Sequence, residues 1–233
     1  MSDKTCLITG VGPGTGSQLV KRFSEDGYTV FMLARNQERL DELETQYPNT
    51  KAYPCDVSDQ EQLSQVVAKI KAEYGCPDVV IHNAVGGAFG DFLTIEPSAL
   101  EQNFQINTLA LLHLGQLLAQ DMIARGSGVF LCTGNTSAYR GKANFAGFAP
   151  SKAAQRILAE SMARRLGPEG IHVAYICIDA VIDVPWTRER FSEAPDEFFC
   201  RPADIADECF RVAHQPRSAW SFNVEIRPFG ETW

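Results

Sequence analysis

The chain has 233 residues, 45% of them apolar, and a formal net charge of −8. Such a composition supports a folded core rather than disorder. An acidic balance with no basic block opposes binding to a phosphate backbone, so no nucleic-acid partner is expected.

No apolar run reaches the length of a membrane span, which leaves no membrane partner to expect. The first residues, Met1-Ser2-Asp3-Lys4-Thr5-Cys6, lead straight into a strand and lack the pattern of a signal peptide. Thr5–Thr9 is that first apolar strand, and it runs into glycines. A helix follows from residue 18 to 23 and stops at Gly27. Residues 28–33 read as a second strand, 38–47 as a second helix and 51–55 as a third strand. Ser58 and Glu61 have the spacing of a capping box for the next helix. Leu63, Val66, Val67 and Ile70 mark its buried face and Gly75 its end. Residues 78–82 form a fourth strand, and a long helix is predicted over 97–124. A fifth strand covers 129–133, another long helix 148–166, stopped by Gly167-Pro168, and a sixth strand 171–178. Residues 179–201 are less regular, 202–214 read as a helix and 222–226 as a last strand.

Seven apolar strands joined by helical crossovers imply an α/β protein with a Rossmann-like, doubly wound, seven-stranded parallel sheet. Without an internal repeat or linker, residues 1–233 are expected to form a single domain. Seven cysteines show no CxxC pair and no metal-ligand spacing, with Cys6, Cys132 and Cys177 inside strands and Cys55 at a strand end. They read as small buried hydrophobes of a reducing cytoplasm. His82, His113, His172 and His214 are scattered, so no metal is expected.

Between the first strand and the first helix lies Gly10-Val11-Gly12-Pro13-Gly14-Thr15-Gly16. Glycines there allow a tight turn and close approach of backbone to a pyrophosphate, and the following helix offers free N–H groups and positive potential. The spacing TGxxxGxG resembles the short-chain dehydrogenase/reductase family. Asp56-Val57 after the third strand matches the family's adenine site. Asn83-Ala84 after the fourth matches most of its NNAG motif, with His82 and Val85 as departures. Asn107 stands where the family keeps an asparagine that supports an active-site water, Lys152 matches the lysine of YxxxK, and Ile182 falls in the cofactor-contacting segment. The resemblance runs through essentially the whole chain and implies a nicotinamide cofactor, a small-molecule substrate and a homodimer or homotetramer.

The second strand ends in Ala34-Arg35, with no acid to hold the ribose of NAD and repel a 2′-phosphate. An arginine can pair with that phosphate, so NADP(H) is expected in preference to NAD(H).

The family's proton donor is missing. Its tyrosine position is Phe148, four residues before Lys152, and its serine position is Asn135, thirteen before Phe148. A related enoyl-reductase pattern, with tyrosine seven before the lysine, meets Phe145. The family's Pro-Gly after the sixth strand is Asp179-Ala180. Its carboxamide-contacting threonine is Val184, with Thr187 nearby as a substitute. Tyr139 is the first candidate donor, by a loose likeness to dienoyl-CoA reductases of the same family; the other reading makes it a packing or subunit-contact residue. Asn135 either stabilises a substrate oxygen or caps its own loop. Asp179 and Asp183 lie on the ligand side of the sheet but read more readily as solvated or turn-holding. Pro185, Trp186, Phe191, Phe198 and Phe199 suggest an apolar ligand or a packed lid, and Trp220, Phe222, Phe229 and Trp233 a subunit contact. Two outcomes remain open: an oxidoreductase with a nonstandard proton route, acting on a conjugated C=C or a carbonyl, or a catalytically silent NADP(H)-binding protein.

Overall fold

The computed structural model describes residues 4–231; Trp233 lies outside them. The first half runs β1 (Thr5–Thr9), α1 (Thr15–Glu25), β2 (Thr29–Ala34), α2 (Gln37–Gln46), β3 (Thr50–Pro54), α3 (Gln60–Tyr74) and β4 (Val79–His82). Next come α4 (Pro97–Phe104), a π-helical turn (Gln105–Leu109), α5 (Ala110–Arg125), β5 (Gly128–Gly134), α6 (Ala149–Leu166) and β6 (Ile171–Ile178). The chain continues with β7 (Val181–Ile182), α7 (Pro185–Arg190), β8 (Phe199–Cys200), α8 (Pro202–Ala213) and β9 (Asn223–Ile226).

Seven of these strands form a sheet in the order β3-β2-β1-β4-β5-β6-β9, every pair parallel. It is the expected doubly wound, Rossmann-like architecture. The strand order reverses between β1 and β4, which opens a crevice at the carboxyl ends of those strands. Alternate residues of each strand serve opposite faces. Ile8, Met32 and Ile176 meet Leu19 and Phe23 of α1, Leu40 of α2 and Ile205 and Cys209 of α8. Leu7, Phe31, Val80 and Phe130 meet Leu63, Val67 and Ile70 of α3 and Leu114 and Leu118 of α5. Ala159 of α6 packs on Cys132, Tyr175 and Cys177.

Three local expectations need correction. The α3 cap is Asp59, whose carboxylate accepts from the Gln62 N–H at 3.0 Å, not Ser58; Ser58 instead donates N–H and hydroxyl to Asp56 Oδ1. The long helix expected over 97–124 carries a π turn at 105–109, which shifts its register and turns Asn107 inward. The irregular stretch after β6 contains α7 and the β7–β8 pair, formed by Val181↔Phe199 and Ile182↔Cys200.

Candidate active site

The crevice is a cleft of about 570 Å³ whose wall runs from Arg35 and Arg39 past the glycine loop to Val85, Ile106, Ile182, Val184 and Trp186. Its floor is close-packed backbone. Gly10 has φ +71°, and a Cβ there would lie 2.4 Å from Ala84 Cα, so only glycine fits. A Cβ on Gly16 would lie 2.5 Å from the Gly10 carbonyl oxygen. The N–H of Gly10 donates to Leu33 O at 2.9 Å, tying the loop to β2. Gly14, the α1 N-cap, supplies no side-chain cap, and the first turn carries no acid. Thr15 Oγ1 is buried with no partner among the described residues. Free N–H groups, an orphan hydroxyl and a cradle without Cβ atoms fit a diphosphate. Pro13 and Thr15 also line this wall.

At the other end, the exposed Arg35 guanidinium lies 3.9 Å from Asp56 Oδ2. Burial pushes the Asp56 carboxyl up, but the Ser58 hydrogen bonds and Arg35 outweigh it and hold it below the usual range. Val57 and Cys55 complete that wall. Sequence reading missed Arg39, which lines the same end. The available signal was its position in the first turn of α2, directly after the Asn36 cap that accepts its N–H.

In the middle, Asn83 donates Nδ2 to Gly10 O at 2.9 Å and accepts the Thr133 hydroxyl at 3.0 Å, joining β1, β4 and β5. Ala84 and Asn83 face the cleft. Beneath them His82 is wholly buried. Its Nε2 lies 3.0 Å from Ile106 O and must donate there, so Nδ1 accepts the Thr9 hydroxyl at 3.0 Å. Burial, then the nearby Lys152 charge, pull its pKa down to about 4.

Lys152, Asn107, Asn135 and Tyr139, the groups expected to perform chemistry, are not among the residues lining the cleft. Lys152 is 2% exposed, gives Nζ to Thr133 O at 3.1 Å and is not among the residues lining the cleft. Burial lowers its pKa to about 8, against the opposing pull of Cys132 and Cys177. Asn107 holds the main chain: Oδ1 accepts from Gly86 N, and Nδ2 donates to Gly86 O and Ser151 Oγ. Asn103, which sequence reading did not single out, clamps Ala88 N and O and Gly147 O in the same way.

Phe148 precedes α6, 3% exposed. Its ring centroid lies 4.7 Å from Phe89 and 6.3 Å from Phe145, so three phenyl rings occupy the neighbourhood of the missing phenol. Tyr139 is turned elsewhere. Its hydroxyl donates to Asn223 Oδ1 and accepts Arg156 Nε at 2.9 Å, and the Arg156 guanidinium lies over its ring. Thr187 uses its hydroxyl on Ile182 O and on the Val184 N–H at the start of α7. Asp183 forms a two-pronged ion pair with Arg188.

Asn135 behaves differently. Its Oδ1 accepts from Ser137 N at 3.0 Å, capping a short 3-10 turn. That bond identifies the amide oxygen and leaves Nδ2 as a donor with no partner among the described residues. Asn135 directly follows β5, on the carboxyl-end side of the sheet that also carries the cleft.

Residues 4–194 match the family model described as short chain dehydrogenase. L-xylulose reductase of Bos taurus is 29% identical over 174 residues, covering 74% of this chain and 70% of the relative. A short-chain dehydrogenase from Rhodopseudomonas palustris superposes with a TM-score of 0.83 at 29% identity, over 97% of this chain and 99% of that one. A metagenomic short-chain oxidoreductase in complex with NADP shares the fold, with a TM-score of 0.85, 23% identity and 98% of both chains covered.

Proposed function

The chain belongs to the short-chain dehydrogenase/reductase family, and from that premise we propose that it is an NADP(H)-dependent oxidoreductase that reduces a conjugated C=C bond of an apolar substrate without a side-chain phenol. Arg35 and Arg39 at the ribose end, with no acid at the end of β2, support NADP(H) over NAD(H). The NADP complex of the metagenomic oxidoreductase is consistent with that assignment.

The observation that carries the reading is the orientation of the Asn135 amide. When bound, NADPH supplies a hydride. In conjugate reduction the hydride goes to carbon, negative charge develops on the carbonyl oxygen, and water suffices to protonate the neighbouring carbon. The site then needs a fixed donor at that oxygen more than an acid. Asn135 Nδ2 provides one, because the bond from Ser137 N costs it no donor. Removing one such donor typically lowers kcat about 10²–10³-fold. Val85 and Trp186 stand exposed at the cleft, and Phe89, Phe145 and Phe148 cluster around the position of the missing phenol, which favours an apolar substrate.

The competing reading is an NADP(H)-binding protein without turnover. It is favoured by Lys152, whose ammonium is buried on Thr133 O. One panel separates the two: NADPH or NADH oxidation with enones, enoyl thioesters and simple ketones. Turnover of the conjugated substrates with NADPH, lost in Asn135→Ala, supports the first reading. NADPH binding with equal inactivity across the panel selects the second. Phe148→Tyr is expected to add simple-ketone reduction if only the donor is missing.

Exposed Leu112 on α5 and Ile157 on α6 support assembly into a homodimer or homotetramer. The continuous seven-stranded sheet supports one domain over residues 1–233. The free cysteines suit a reducing cytoplasm.

A further inference from the structure

Asp179 stands directly after β6 where the family motif has proline, and its side chain is 12% exposed. Its Oδ1 accepts the Thr136 hydroxyl at 2.7 Å and Arg140 Nη2 at 3.3 Å. Arg140 Nη2 also donates to Thr136 Oγ1 at 3.2 Å, closing a triangle. The backbone N–H of Asp179 donates to Ile226 O at 2.9 Å, so the carboxylate is anchored to the edge of the main sheet.

This triangle connects two halves of the site. Thr136 is the neighbour of Asn135 and opens the short turn that the Asn135 amide caps. Asp179 in turn begins the segment that carries Ile182 and Val184 to the cofactor cleft. A mostly buried carboxylate requires its hydrogen bonds and its cation, so the connection is stiff. Proline or alanine at 179 could not make it.

We propose that Asp179 is the positioning residue of this site, holding the Asn135 amide in register with the Ile182–Val184 wall through Thr136 and Arg140. The proposal rests on the conjugate-reduction reading for its kinetic consequence but not for its structural one. Asp179 does not touch substrate; it sets where the oxyanion donor stands. Misplacing such a donor by about 1 Å costs on the order of 10²-fold in rate.

The test uses the full-length protein with two readouts. The first is the side-chain amide signal of Asn135 in 15N-labelled protein, assigned by its loss in Asn135→Asp. It should move in Asp179→Ala and in Thr136→Val, and much less in Asp179→Asn, which keeps an oxygen for the Thr136 hydroxyl. The second is steady-state reduction of an enone by NADPH. Asp179→Ala should lower kcat about 10- to 100-fold, with the KM for NADPH within about twofold and Asp179→Asn recovering most of the loss. An unmoved Asn135 signal in Asp179→Ala overturns the proposal. So does a loss confined to the KM for NADPH, or equal losses in the alanine and asparagine variants. If the wild type reduces nothing, the oxidoreductase reading fails by itself, and the amide signal still decides whether Asp179 positions Asn135.

Discussion

Phe148 and His82 each depart from the family motif, and each meets a different local environment. Phe148 is buried and joins an apolar cluster with Phe89 and Phe145. His82 replaces an asparagine of the family motif and is buried as a neutral imidazole between Thr9 and Ile106. Its folded pKa of about 4 lies below the ordinary 6.5. Between those values the unfolded chain binds a proton that the folded chain does not. Stability is therefore full above pH 6.5 and drains as the pH falls through 4, by on the order of 3 kcal/mol. Urea midpoints of wild type and His82→Asn measured from pH 7 to 4 should converge, the wild type falling more steeply. Parallel curves would mean that His82 titrates normally. That the glycine positions, Asp56 and Asn83 line the cleft was legible residue by residue, because each motif ties a residue type to a local backbone demand; where Lys152 places its ammonium was not. The orientation of the Asn135 amide was not, since both readings of an asparagine satisfy the same local chemistry.

At the scale of elements, strands and helices emerged close to their expected limits because their apolar periodicity is strong. Helix starts were less secure, since several residues compete for one cap. Ser58, Asp59 and Asp56 all stand before α3, and Asp59 takes the cap because Ser58 is drawn into the hydrogen bonds of Asp56. Asp59→Ala should therefore cost about 1 kcal/mol of stability in urea unfolding, as the loss of a helix cap does. Ser58→Ala should cost clearly less; the reverse order would return the cap to Ser58. The π turn at 105–109 was invisible in periodicity, because one inserted residue in a long apolar helix leaves the pattern nearly intact. It has a clear effect: it presents Asn107 to Gly86 and Ser151, joining the β4–α4 loop to α6.

For the whole molecule, the sheet order places the glycine loop, Asn83 and the end of β5 along one edge of carboxyl termini, and from there the cleft follows. The exposed apolar side chains of α5 and α6 lie away from that cleft. Replacing Ile157, 60% exposed, by glutamate should shift the sedimentation coefficient toward the monomer while leaving NADPH binding intact. An unchanged coefficient would remove α6 from the proposed subunit contact.

The amino-acid sequence by itself determined the alternation of elements, the parallel sheet, the glycine loop and the absence of the tyrosine, because each depends on short-range patterns of side-chain size, polarity and backbone freedom. Only the tertiary structure decided where the remaining polar groups spend their hydrogen bonds. Asn103 reaches Gly147 across 44 residues, and Asp179 reaches Thr136 across 43. Tyr139 turns to Arg156 and Asn223, and Lys152 to Thr133. Such choices rest on competition among partners brought together by folding, and no local pattern records which partner wins.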